Sequence, residues 1–223
     1  KYGFVFQEFL QQCSRSYDKV FYIMGNHEHY HFDITRTASV LREHLPNNFT
    51  LLDDSSEHFR GVHFVGSTMW SNFRKQDPNV MWDCQRIMSD YHVIMNEDKS
   101  LTPKDTLSMH QSSVDWLDDC LEMLRGPVVM ITHHAPNSRS VRHKYAKPDI
   151  SGAYYTDMEW MMEKYPNITN WCHGHVHETN NYNIGGCNVI SSPFGYHPTP
   201  KNHDFNGPYE FEVDNKKSLS AEG

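Results

Sequence analysis

The segment ITNWCHGHVH, residues 168–177, predicts a strand that runs directly into a histidine-bearing turn. Two other segments repeat this arrangement, KVFYIMGNHE at 19–28 and VVMITHH at 128–134. In each segment an apolar, β-prone run precedes a polar turn that contains histidine. Because functional sites in α/β folds gather at the carboxyl ends of strands, we expect the three turns to lie close together.

Helical patterns separate these strands. The clearest predicted helix begins at Thr102-Pro103, carries leucine and valine at core spacing, and ends before Gly126-Pro127. Another begins after an Asp33 cap and stops before Pro46. Two more helices are predicted over 4–16 and 157–165, and further strands over 49–52, 62–65, 182–184, 187–190 and 209–213. The alternation of strands and helices predicts an α/β fold, and the lack of a Gly/Ser-rich or Pro-rich linker predicts one domain over residues 1–223.

The overall composition narrows the classes of function. The formal net charge of −8 argues against a protein that binds nucleic acid by neutralising phosphates. The chain has no apolar run near the roughly 20 residues that a membrane-spanning helix needs. Its five cysteines are scattered and form no C-x-x-C pair, which disfavours a disulfide framework and favours a reducing, cytoplasmic location.

The 16 histidines direct attention to metal binding, because neutral imidazole is the commonest side-chain metal ligand. Hydrolysis of a phosphate ester by a divalent cation requires nitrogen and oxygen ligands on a rigid frame. Strand ends provide such a frame. In His175-Val176-His177 an extended backbone would point the two imidazoles to opposite faces, so the turn geometry decides whether they reach one metal or two.

Three ordered motifs resemble those of the calcineurin-like metallophosphoesterases. Gly25-Asn26-His27-Glu28, the strand-borne His133 and Gly174-His175-Val176-His177 match, in order, the last three of the family's five motifs, and the resemblance spans roughly residues 17–196. It implies a four-layer α/β/β/α sandwich of two mixed β-sheets flanked by helices. It also implies hydrolysis of a phosphomonoester or phosphodiester by a hydroxide that two divalent metals activate.

The resemblance assigns roles to individual residues. By this resemblance Asn26, His133 and His175 bind one metal and His177 binds the other. His27 acts near the leaving group as a general acid or electrostatic stabiliser, oriented by Glu28. His134 competes with its neighbour, but His133 is the first histidine of the family's pattern. Mn²⁺ is the expected metal, with Fe, Zn and Mg as alternatives, because a set of nitrogen and oxygen ligands does not choose among them.

The chain departs from the family's pattern at two places. The first two motifs, an Asp-x-His and a Gly-Asp, are expected before Gly25, and residues 1–24 contain neither. The sequence therefore predicts that the chain is a fragment that lacks an N-terminal segment with one or two central strands. The second departure is Phe194, which stands where sequences that look similar often carry arginine.

Two other functions remain open at this point. Some proteins that resemble this family act as scaffolds or binding modules with an incomplete metal site, and others are metal-dependent nucleases. The three intact motifs disfavour a scaffold, and the acidic balance disfavours a nuclease. A small-molecule or phosphorylated substrate is expected, whereas the oligomeric state is not indicated.

Several residues are assigned structural rather than functional roles. Asp90-Tyr91-His92 has the Asp-x-His spelling but follows no predicted strand, so we interpret it as structural. Trp70, Phe73 and Arg74 either line the substrate cleft or have a structural role. The histidines expected to be solvated in polar loops are His29, His31, His143, His197 and His203.

Overall fold

The computed structural model describes residues 3–141, 150–195, 202 and 204–214. Its right-handed α-helices are α1 (Gly3–Ser16), α2 (Ile34–His44), α3 (Pro78–Ile87), α4 (Asp90–Val93), α5 (Pro103–Met123) and α6 (Glu159–Lys164), and Phe73–Gln76 forms a turn with positive φ. Its strands are β1 (Val20–Tyr22), β2 (Phe49–Leu51), β3 (Ser55–Phe59), β4 (Val62–Ser67), β5 (Met95–Asn96), β6 (Lys99–Ser100), β7 (Val128–Thr132), β8 (Ile168–His173), β9 (Asn180–Ile184) and β10 (Cys187–Ser191).

A six-stranded mixed sheet in the order β3-β4-β7-β8-β10-β9 forms the centre of the fold. Strands β4, β7, β8 and β10 are parallel, while β3 and β9 pair antiparallel to them at the two edges. The parallel register sets Val65 beside Met130 and Met130 beside Trp171. The turns that follow β7 and β8 therefore leave the same edge of the sheet.

A smaller sheet of β1 and β2, which are parallel, faces the large one. The Phe21 ring stacks on Phe64 of β4 with centroids 4.0 Å apart. Gly66 leaves room for Leu52, since a Cβ at Gly66 would lie 2.4 Å from the Leu52 Cβ. This close packing confirms the predicted α/β class, with helices flanking the strands, and brings the turn after β1 beside the turns after β7 and β8.

The helix ends follow the predicted signals. Asp33 caps α2 by accepting a hydrogen bond from the Thr35 backbone N–H at 2.9 Å. At the start of α5 the Thr102 hydroxyl accepts from the Asp105 N–H, and the Asp105 carboxylate accepts from the Thr102 N–H at 2.8 Å. These reciprocal bonds satisfy N–H groups that have no partner inside the helix.

Two apolar clusters hold these elements together. The larger lies between the central sheet and helices α5 and α6, and its fully buried members include Met130, Leu117, Met161 and Trp171. The smaller packs the loop after β4 against α3, α4 and α5, and its members include Trp70, Phe73, Cys84, Tyr91, Ile94 and Leu101. Burial of Trp70 and Phe73 in this cluster resolves their alternative in favour of core packing. The smaller cluster fixes α4, which begins at Asp90.

Two sequence predictions are wrong. Residues 209–213 form no strand. Tyr209 and Phe211 are 43% and 39% exposed, and the Tyr209 hydroxyl accepts a hydrogen bond from Asn181. The two aromatic side chains therefore lie on the protein surface. His29 is 2% exposed rather than solvated. Its Nδ1 lies 2.9 Å from the Thr37 hydroxyl, and its ring stacks against the Trp70 ring. His31 is exposed as expected, and His143, His197 and His203 lie outside the described residues. None of the described helices is long and apolar enough to cross a membrane.

Candidate metal centre

The three histidine-bearing turns meet in one cleft of about 600 Å³. The cleft also receives the end of α3, the start of α4, and residues 193–195. Every predicted site residue lines it: Asn26, His27, Glu28, His133, His175 and His177. The expectation that the turns converge is therefore confirmed by their positions.

Three side-chain atoms converge at the base of this cleft. His133 Nε2 lies 2.9 Å from Asn26 Oδ1 and 3.1 Å from His175 Nδ1. Ligands bonded to one cation at 2.0–2.2 Å are separated from each other by about 2.8–3.1 Å in octahedral geometry and about 3.3–3.6 Å in tetrahedral geometry. The two distances from His133 Nε2 fit neighbouring ligands of one octahedrally coordinated divalent cation.

Both imidazoles of this group are held in the neutral form. Burial lowers the pKa of His133 well below its ordinary range, and repulsion from His175 and His134 adds to the shift. Burial likewise lowers the pKa of His175 to about 3, with a further contribution from His177. A neutral imidazole has a lone pair available for a metal near pH 7.

Glycine allows the backbone to approach the His133 ring. A Cβ at Gly25 would lie 2.4 Å from His133 Cε1, closer than any side chain tolerates. The N–H of Gly174 donates to the His133 carbonyl at 3.1 Å, which fixes the turn after β8 against the turn after β7. The glycines of both motifs thus position this histidine directly.

His134 occupies a different position from His133. It is 1% exposed, and its Nδ1 donates to the Thr68 carbonyl at 3.1 Å. Its ring packs between Trp70 and His175, with centroids 5.2 Å and 4.3 Å away. His134 therefore supports the His175 ring from behind, while His133 contacts both other members of the group.

His27 and His177 lie on the walls of the cleft. His27 is exposed and stacks on Tyr30 with ring centroids 4.3 Å apart. His177 is half-buried and lines the same cleft. Their roles as leaving-group residue and as ligand of a second metal stay predictions.

Glu28 stabilises the turn that carries Asn26. Its two carboxylate oxygens accept hydrogen bonds from the Gly25 N–H and from the Tyr22 hydroxyl, each at 2.7 Å. These bonds fasten the turn to the end of β1. The predicted orientation of His27 by Glu28 stays a prediction.

Asp90 is a cleft residue that sequence reasoning assigned only a structural role. It is 1% exposed, and its Oδ1 accepts hydrogen bonds from Asn26 Nδ2 at 2.8 Å and from the Tyr30 hydroxyl at 2.6 Å. The sequence feature that could have indicated a role at the site is the Asp-x-His pattern of residues 90–92 within an otherwise apolar segment. Its position after α3 rather than after a strand hid its contact with a turn 64 residues away.

One of the candidate metal-binding atoms is the amide oxygen of Asn26. In the part of the chain that the structure describes, no group of three or more His, Cys, Asp or Glu side chains is arranged to hold a metal ion. The convergent set consists instead of two imidazoles and the Asn26 amide oxygen, which are ligands that suit Mn, Fe or Zn.

Apolar side chains form the outer wall of the cleft. They come from the end of α3, from the segment after residue 149, and from the segment after β10: Ile87, Met88, Ile150, Tyr154, Pro193 and Phe194. Phe194 is 38% exposed and packs edge-on against Phe205. A bound molecule would thus meet polar atoms at the base and apolar surface at the mouth.

Comparison with known proteins agrees with the fold and the motifs. The family model for calcineurin-like phosphoesterases matches residues 2–179. The chain belongs to the calcineurin-like phosphoesterase family, as the three motifs predicted.

The chain is also similar to two individual proteins. An uncharacterized protein of Acanthamoeba polyphaga mimivirus is 27% identical, and the alignment covers 92% of this chain and 77% of that protein. Among solved structures, the phosphopantetheinyl hydrolase of Mycobacterium tuberculosis is similar with a TM-score of 0.65 and 16% identity, over 85% of this chain and 74% of that one. At this identity the second likeness concerns the fold alone.

Proposed function

We propose that this protein is a metal-dependent phosphoesterase that hydrolyses a phosphomonoester or phosphodiester bond. The observation that carries the proposal is the convergence of Asn26 Oδ1, His133 Nε2 and His175 Nδ1 within 2.9 and 3.1 Å. Membership of the calcineurin-like phosphoesterase family supports the same reaction class.

The residues at the base of the cleft would hold the metals. Asn26, His133 and His175 would bind one divalent cation and His177 a second, with Mn²⁺ the first candidate. When bound, such cations supply Lewis acidity toward phosphoryl oxygens and activate water as a nucleophile.

His27 would act on the leaving group. It is the exposed imidazole of the cleft, and the Tyr30 ring stacked against it restricts its orientation. From this position it can donate a proton to a departing alkoxide or stabilise its charge. The bonds from Glu28 to Gly25 and Tyr22 fix the backbone of the turn that carries His27, which would limit the motion of the imidazole relative to the cleft.

The walls of the cleft support a small phosphorylated molecule as substrate. A volume of about 600 Å³ fits a compact ligand. The apolar surfaces of Ile87, Met88 and Phe194 favour an apolar or planar group next to the phosphate.

The test is hydrolysis of chromogenic phosphomonoesters and phosphodiesters with added Mn²⁺, by protein expressed from its complete reading frame. His175→Ala is expected to lower kcat/KM at least about a thousandfold, because a lost ligand removes several kcal/mol of transition-state stabilisation. His58→Ala, at an exposed site on β3, is the matched control and is expected to leave activity unchanged.

Each outcome of this test selects a class of function. Activity that depends on Mn²⁺ and on His175 supports the phosphoesterase. Inactivity toward the whole panel, with normal folding, favours a scaffold or binding module built on the same fold.

A further inference from the structure

We propose that Asp90 is a positioning residue that orients the Asn26 amide for metal binding. The inference rests on the proposed function, because it assumes that Asn26 Oδ1 is a metal ligand. It concerns a residue outside the three sequence motifs, on a helix that adjoins none of them along the chain.

An asparagine amide can present either its oxygen or its nitrogen to a metal, and only the oxygen can bind. The Asp90 carboxylate can only accept hydrogen bonds when it is ionised, so the amide nitrogen must face it. Asn26 Nδ2 donates to Asp90 Oδ1 at 2.8 Å while Asn26 Oδ1 lies 2.9 Å from His133 Nε2. Asp90 thus determines which end of the amide faces the imidazoles.

Tyr30 fixes Asp90 in turn. Its hydroxyl donates to the same Asp90 oxygen at 2.6 Å, and its ring stacks on His27 at 4.3 Å. One carboxylate therefore connects a predicted metal ligand with the residue proposed to act on the leaving group.

The charge balance around Asp90 gives independent support. Its second oxygen, Oδ2, is buried and has no hydrogen-bond partner among the described residues. A buried carboxylate that is only partly hydrogen-bonded is costly unless a positive charge lies nearby. A divalent cation held by Asn26 would supply that charge.

A structural role is the competing explanation. Asp90 begins α4, and its backbone carbonyl accepts from the Ile94 N–H at 3.2 Å. Its removal could therefore weaken the packing of α4 without affecting a metal. The two explanations differ in what happens to metal affinity.

The experiment is calorimetric titration of the protein, expressed from its complete reading frame, with Mn²⁺ as the probe, together with thermal unfolding. Asp90→Ala is expected to raise the Kd for Mn²⁺ by about 10- to 100-fold, as loss of a residue that orients a ligand commonly does. Asp90→Asn is expected to give a smaller rise, since its amide oxygen can still accept from Asn26 and only the charge is lost. This partial rescue is not expected from a purely structural residue.

Asp77→Ala is the matched control. Asp77 caps the neighbouring helix α3 by accepting from the Asn79 N–H at 2.8 Å, so its loss is expected to lower Tm and to leave the Kd unchanged.

Failure of the positioning role and failure of the proposed function would give different results. An unchanged Kd in Asp90→Ala, with binding lost in Asn26→Ala, would overturn the positioning role and leave the proposed function intact. Absence of Mn²⁺ binding by the unmodified protein would overturn both. If Asp90→Ala does not fold, Asp90→Ser decides, because its shorter side chain also loses the hydrogen bond to Asn26, and a Kd equal to that of the unmodified protein contradicts the inference.

Discussion

Two cavities of this protein differ in how their polar atoms are used. The cleft of about 600 Å³ holds the Asn26, His133 and His175 group, and a second cavity of about 450 Å³ is lined by Asp53, Asp54 and Asp105. Trp70 lines the second cavity, and the His134 ring lies between Trp70 and His175.

The second cavity contains more carboxylates, but each has a structural contact of its own. Asp105 closes the cap of α5, Asp53 pairs with Arg42 at 3.4 Å, and Asp54 accepts from Ser113 at 2.8 Å. In the cleft, by contrast, the atoms of different strand ends point at one another. Convergence of ligand atoms from separate elements, rather than the number of acidic residues, marks the candidate metal centre.

Substitution of Gly25 is expected to have the largest effect on metal binding in the cleft. In Gly25→Ala the new Cβ would lie 2.4 Å from His133 Cε1, so the ring must leave its position between Asn26 and His175. We expect the Kd for Mn²⁺ to rise at least about 100-fold, comparable to the loss of about 3 kcal/mol of binding free energy. Titration calorimetry measures this directly.

Gly186→Ala is the control for this change. A Cβ at Gly186 meets nothing within 4 Å, so its Kd should equal that of the unmodified protein. Tight Mn²⁺ binding by Gly25→Ala would show that the position of His133 does not matter for the metal.

His29, which lines the second cavity, should make the stability of the protein sensitive to acid. Burial lowers the pKa of His29 to about 4, so the unfolded chain, with an ordinary histidine pKa, takes up a proton that the folded chain does not. Stability is therefore full above about pH 6.5 and falls as the pH decreases toward 4, by up to about 3 kcal/mol from this residue.

Thermal unfolding between pH 7.5 and about 4.5 measures the effect, and His29→Gln should make the loss of stability toward low pH less steep, with the other buried histidines contributing the remainder. An equally steep decline in His29→Gln would assign the acid sensitivity to other buried histidines, of which His110 is one because burial also lowers its pKa.

The sequence predicted the convergence of the three histidine-bearing turns because each turn is specified locally. Each motif follows its own strand, and parallel strands in one sheet end at one edge. The Asp33 and Thr102 caps were predictable for the same reason, since each acts within one turn of its helix.

The features that were missed depend on contacts between distant segments. Asp90 reaches Asn26 across 64 residues, and the burial of His29 depends on Trp70 in another loop. The segment at 209–213 has a strand-like pattern, but strand formation requires a partner with free backbone groups, which periodicity does not reveal.

The most direct test of the account is Mn²⁺ titration of Asn26→Ala beside Asp53→Asn. We expect Asn26→Ala to lose measurable binding and Asp53→Asn, in the second cavity, to keep its Kd within about twofold of the unmodified protein, because only the first change removes a convergent ligand. Equal Mn²⁺ binding by both variants would contradict the assignment of the metal centre to Asn26, His133 and His175.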